Sequence, residues 1–132
     1  MNGRRKLWAT GFAATVVLGS VLTVAPADAR GGSDTVRRGH CSGASTWKLK
    51  VGPDDGRLEV EAEIDSNRSG QTWGWRLVHN GSLSARGTRV TRAPSGSFEV
   101  RRLMVNRAGT DTVTVRAHNP RTGEVCRGTV HR

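Results

Sequence analysis

Beyond its first 29 residues, the 132-residue chain predicts an all-β fold, an antiparallel sandwich of seven strands. Three observations carry that expectation. Trp73-Gly74-Trp75-Arg76-Leu77 alternates large apolar residues with small or charged ones, the period-two signature of a strand with one buried face. Leu58, Val60, Ala62 and Ile64 alternate in the same way with Glu59, Glu61 and Glu63. Turn-forming clusters separate such runs at short intervals, and no segment after the leader shows a convincing helical period.

The leader, residues 1–29, reads as a cleaved signal helix. Arg4, Arg5 and Lys6 form a positive n-region, Leu7 to Val24 is an uncharged and mostly apolar run, and Ala27-Asp28-Ala29 fits a small-x-small cleavage pattern. A retained membrane anchor competes with this reading, because the run is nearly long enough to span a bilayer. The run leads directly into the cleavage triplet, which favours release after Ala29 and leaves no stable membrane span. Arg4-Arg5-Lys6-Leu7-Trp8 is similar to a twin-arginine signal, but an ordinary secretory signal with adjacent arginines is the simpler expectation. The chain is therefore expected outside the cell.

The chain beyond the leader has the size of one domain. Residues 30–40 are rich in Gly, Ser and Arg with one apolar side chain, and read as a flexible basic tail before a single domain over 41–132. After Ala29 the chain holds 18 basic and 10 acidic residues, a net charge near +8, mostly arginine. Such a charge favours acidic partners. Cys41 and Cys126 stand near the two ends of the domain, and export into an oxidising compartment makes a disulfide between them the expected state. His40 beside Cys41 invites a metal or thiol-catalysis reading, but one adjacent pair lacks zinc-site spacing, so no metal and no cofactor is expected.

Trp47, Leu49 and Val51 alternate with Lys48 and Lys50 in the first strand, and Gly52 to Gly56 turns it into the Leu58–Ile64 strand. Asp65 to Gln71 is a polar loop before the Trp73 strand, which runs to Val78. Asn80-Gly81 then suits a hairpin turn with positive φ. Ser82 to Val90 is a weaker strand. Phe98 and Val100 lead the next, where the alternation slips at Arg101-Arg102 before Leu103, predicting a strand end or bulge. Val113, Val115 and Ala117 mark the sixth strand and Glu124 to His131 the last. The expected core is Trp47, Leu58, Val60, Ile64, Trp73, Trp75, Leu77, Phe98, Val100, Leu103, Val113, Val115 and Ala117.

Phe98-Glu99-Val100, Leu103, Gly109-Thr110 and Val113-x-Val115-x-Ala117-x-Asn119 together resemble the second half of a fibronectin type III or related immunoglobulin-like domain. The resemblance covers about residues 97–124 and implies an immunoglobulin-like sandwich, with no functional residues carried over. Two departures stand out. Asp111 occupies the place of the corner tyrosine, in a chain without tyrosine, and Val115 falls where the immunoglobulin F-strand cysteine would be.

That strand order separates the charges by sheet. One sheet would set Glu59, Glu61 and Glu63 between Lys48 and Lys50 on one side and Glu99 to Arg101 on the other, an ordinary structural pairing. The other sheet would present Arg76, Arg86, Arg116 and Arg127 outward with His118, His131, Thr112, Thr114 and Thr129, and no mid-strand carboxylate. The plain account of this face is a solubilising surface. The functional account is contact with an anionic cell-envelope polymer, a phospholipid head-group layer or another secreted protein. Export makes nucleic acid an improbable partner.

Two further binding readings compete with these. Trp47, Trp73 and Trp75 would serve a carbohydrate-binding module if their faces were exposed, whereas their alternation places them inside. A small secreted protease inhibitor would present a loop such as Asp65–Gln71 or Asn106–Thr110. Catalysis is not expected. His40, His79, His118 and His131 are scattered, and Glu59, Glu61 and Glu63 share one open face where a glycosidase needs two carboxylates opposed across a cleft.

Overall fold

A computed structural model describes residues 32–132, so the leader and the Ala29 cleavage site lie outside the described residues. Eight strands run in order: β1 (Thr35–His40), β2 (Thr46–Asp54), β3 (Arg57–Asp65), β4 (Thr72–His79), β5 (Ser82–Val90), β6 (Ser97–Val105), β7 (Thr112–His118) and β8 (Val125–His131). They form two antiparallel four-stranded sheets, β1-β2-β3-β6 and β5-β4-β7-β8. Period-two patterning decides this directly. Along β3 every second residue from Leu58 to Ile64 is buried, and β7 buries Val113, Val115 and Ala117.

The strand count corrects the expected seven, and the added strand lies in the stretch read as a flexible tail. Thr35 to His40 pairs residue by residue with Val51 to Thr46 of β2. Its single apolar residue, Val36, hid it, because an edge strand is held by ladder hydrogen bonds that periodicity does not report. Arg37 and Arg38 also keep that edge charged, a common defence against further strand pairing.

A second correction concerns β6. Its register with β3 runs unbroken from Ser97 opposite Asp65 to Val105 opposite Arg57, with neither bulge nor strand end at Arg101-Arg102. Leu103 therefore points outward and is 49% exposed, while Met104 is buried in the core. The inward slot at 102 is filled by arginine because it lies at the open side of the sandwich. There the Arg102 guanidinium stacks 5.3 Å from the Trp75 ring centroid, and Arg89 of β5 approaches the same ring.

The remaining expected core residues are buried between the sheets, except that Trp47 is only partly so. Trp47 sits at the margin where β1 and β8 meet. A Cβ on Gly39 of β1 would stand 2.6 Å from its ring, and one on Gly128 of β8 would be closer still, so the indole bridges the sheets across two bare backbones. Nearby, the Cys41–Cys126 disulfide ties the chain just after β1 to β8. The β4–β5 hairpin turns on Asn80 and Gly81, both at positive φ, the geometry that Asn-Gly favours.

Candidate functional site

Register places the four outward arginines of the second sheet in one line. Arg76 of β4 lies opposite Arg86 of β5 and, on its other side, opposite Arg116 of β7. Arg116 in turn lies opposite Arg127 of β8. The row thus crosses every strand of the sheet, and at a strand spacing of about 4.8 Å it extends roughly 14 Å. None of the four makes an ion pair among the described residues.

On one side of the row stand Thr88, Gly74 and His118, again in register. On the other side Thr114 and Thr129 share a hydroxyl hydrogen bond of 2.9 Å, and beyond them Thr112 Oγ1 lies 3.0 Å from His131 Nδ1. The expected companions of the arginine face are all present on it. Sequence reasoning missed its relief. Gly74, outward on a central strand, leaves an open hollow of about 540 Å³ lined by Arg76, Arg86, Arg116, His118 and Thr88. A glycine inside the most apolar strand was the available signal.

The outer face of the other sheet is built in the opposite way. Lys48 faces Glu63, Lys50 faces Glu61, and Glu61 faces Arg101. Lys50 Nζ lies 2.9 Å from Glu61 Oε2, and Arg101 pairs with Glu59. The hydrogen bond from Lys50 is the main influence holding the Glu61 carboxyl below its ordinary range, and the same bond raises the Lys50 ammonium. Lys50 and Arg101 are thus each paired with a carboxylate, while Arg38 lies opposite Lys48 and Glu63 opposite Glu99.

The histidines do not converge. His118 belongs to the arginine face, His40 ends β1, and His79 lies against the buried Asp111. Among the described residues no group of three or more His, Cys, Asp and Glu is placed to hold a metal ion, and no helix is long and apolar enough to cross a membrane. In the sequence Asp111 stands out only as the replacement of a corner tyrosine. It proves to be an organising residue, accepting from His79 Nε2 at 2.6 Å, Asn80 Nδ2 at 3.1 Å and the Arg107 N–H at 3.2 Å.

The alternative binding surfaces fare differently. Trp73 is fully buried and Trp75 nearly so, so neither offers a ring face to a sugar, while the partly buried Trp47 lines a surface depression. The Asp65–Gln71 loop is braced by backbone bonds from Ser66 to Gly96 and between Gly70, Gln71 and Thr91. The chain matches no protein-family model, no curated protein and no solved structure.

Proposed function

We propose that this protein is a secreted, non-catalytic domain of the immunoglobulin-like class whose β5-β4-β7-β8 face binds an acidic partner, foremost an anionic polymer of the cell envelope. The sandwich, the disulfide and the leader-like N-terminus support the class and the compartment. With β1 set aside, β2-β3-β6 and β5-β4-β7-β8 match the A-B-E and C′-C-F-G order of immunoglobulin-like domains.

The arginine row carries the binding reading. Like charges directly opposite on neighbouring strands destabilise a sheet. Here three such contacts stand in line with no carboxylate among them, while the outer face of the other sheet mixes its signs, pairing Lys50 with Glu61 and Arg101 with Glu59 beside like-charge contacts at Arg38–Lys48 and Glu63–Glu99. Solubility needs net charge and is indifferent to alignment. A row that costs stability and adds nothing to solubility fits a ligand that is itself an array of anions.

The test is binding of the full chain to purified anionic wall polymer at increasing salt, with Arg76→Glu/Arg116→Glu beside it. Affinity should fall steadily as salt rises, and the double variant should bind at least about a hundredfold more weakly. Affinity unmoved by salt, or retained in the charge-reversed variant, refutes the reading. A pull-down from culture supernatant that recovers an acidic secreted protein in place of polymer would reassign the partner.

A further inference from the structure

Five glycines of the described residues lie within strands, and four of them have an internal reason. Gly39 and Gly128 admit the Trp47 ring, Gly87 admits the Trp75 ring, and Gly52 admits the Asp34 side chain. Gly74 has none. Its φ lies outside the left-handed region, and the nearest atom to a Cβ built on it is the His118 carbonyl oxygen at 3.9 Å, an ordinary contact. A mid-strand glycine loses more conformational entropy on folding than any other residue and packs nothing. The recurrent external reason for one is close approach of another group to the backbone.

The surroundings of Gly74 say which group. Arg76, Arg86 and Arg116 line the hollow with His118 and Thr88. Guanidinium forks match the oxygens of phosphate two at a time, and a phosphodiester sets two free and two ester oxygens tetrahedrally about phosphorus, so arginines on different strands can reach it where a planar carboxylate offers a single edge. Arg127 extends the row past Arg116 on β8, outside the hollow. One seat with a line of further cations leading away suits a chain of anionic groups better than a flat array of head groups.

Resting on the anion-binding reading above, we infer that the face is a phosphate-polymer site. One phosphodiester seats on the Gly74 backbone between Arg76, Arg86, Arg116 and His118, and the next phosphate runs along the row to Arg127.

The experiment titrates the full chain with soluble poly(glycerol phosphate), with poly-glutamate as a carboxylate control and with phosphatidylglycerol vesicles as a head-group control. Calorimetry gives the affinity, and the Gly74 and Arg76→Glu/Arg116→Glu variants give the location. Gly74→Val fills the seat with a good strand former, so it should fold at least as stably as the wild type. It should lose about tenfold or more in affinity for the phosphate polymer, while poly-glutamate binding changes less than about twofold. Gly74→Ala, the milder filling, should fall between them and serves if the valine variant folds poorly.

Wild-type affinity in both Gly74 variants overturns the seat and leaves the basic face standing. Polymer binding that also survives Arg76→Glu/Arg116→Glu removes the face reading as well. Equal preference for poly-glutamate, or binding to vesicles without binding to soluble polymer, overturns the phosphate-polymer assignment.

Discussion

His79 Nε2 lies 2.6 Å from Asp111 Oδ1, and this contact closes one end of the sandwich. His79 ends β4, Asp111 precedes β7, and the same carboxylate takes the Asn80 amide and the Arg107 N–H. Asp111 also exchanges both backbone hydrogen bonds with Arg132, so the end of β8 is fastened at the same point. Here an anion under three donors holds the β4–β5 turn, the β6–β7 loop and the end of β8 together.

Burial alone would push the Asp111 carboxyl up, and the hydrogen bonds from His79, Asn80 and Arg107 outweigh it, leaving the group below its ordinary value. A carboxyl depressed on folding contributes stability above its unfolded value, near pH 3.9, and loses it as pH falls through the folded value. Asp111→Ala should cost about 1–3 kcal/mol at neutral pH, since it strands buried donors. Asp111→Asn should cost less and should flatten the acid limb. Urea unfolding from about pH 2.5 to about pH 7, a range that brackets carboxyl titration, checks both. Parallel acid limbs in the wild type and Asp111→Asn would remove the carboxylate from the account.

The Cys41–Cys126 bridge closes a loop of 85 residues between the two sheets. In the chain-entropy account its removal costs up to about 4.5 kcal/mol, comparable to the whole stability of a domain of this size. The double variant Cys41→Ser/Cys126→Ser should therefore be largely unfolded at about 37 °C, as small secreted domains lacking a native disulfide often are. Circular dichroism melts of the variant and of the reduced wild type check this. Unchanged melting would show that the eight-stranded core suffices.

The arginine row makes a prediction of opposite sign. Arg76 faces a second arginine on each side, and no carboxylate faces it among the described residues. Arg76→Gln keeps most of the stem and removes two repulsive contacts, so it should stabilise the fold by roughly 0.5–1 kcal/mol at low salt. The gain should shrink as salt screens the wild type. Thermal melts at two ionic strengths measure it, and a destabilised variant would mean that the guanidinium has a favourable partner after all.

The parts of the fold that are legible in the sequence and those that are not divide along one physical line. Most of the seven expected strands announce themselves by alternating apolar and polar side chains, and the burial of Trp73, Trp75 and Leu77 comes from that pattern alone. The outward direction of Arg76, Arg86, Arg116 and Arg127 is legible for the same reason. Their alignment is not, because it depends on the register between strands far apart in sequence. β1 is hidden because its stability lies in backbone bonds. The hollow at Gly74 is hidden because glycine reads first as a weak strand former.

The arginine-interrupted stretch of β6 gives the sharpest check on register. Alternation from Phe98 and Val100 demands an inward residue at 102, where the chain has arginine, and a slip after Arg101 would bring Leu103 inside. The ladder with β3 is unbroken, so Arg102 keeps the inward slot by stacking on Trp75 at the sandwich margin, and Met104 enters the core. Met104→Ala should thus cost about 2–4 kcal/mol, the range for truncating a buried large side chain. Leu103→Thr, on the outer face opposite Glu59, should change stability by less than about 0.5 kcal/mol. Arg102→Ala should fall between, losing the packed stem and the cation–π contact, about 1 kcal/mol. Denaturant melts of the three variants order them, and a Leu103 variant more damaging than the Met104 variant would restore the slipped strand.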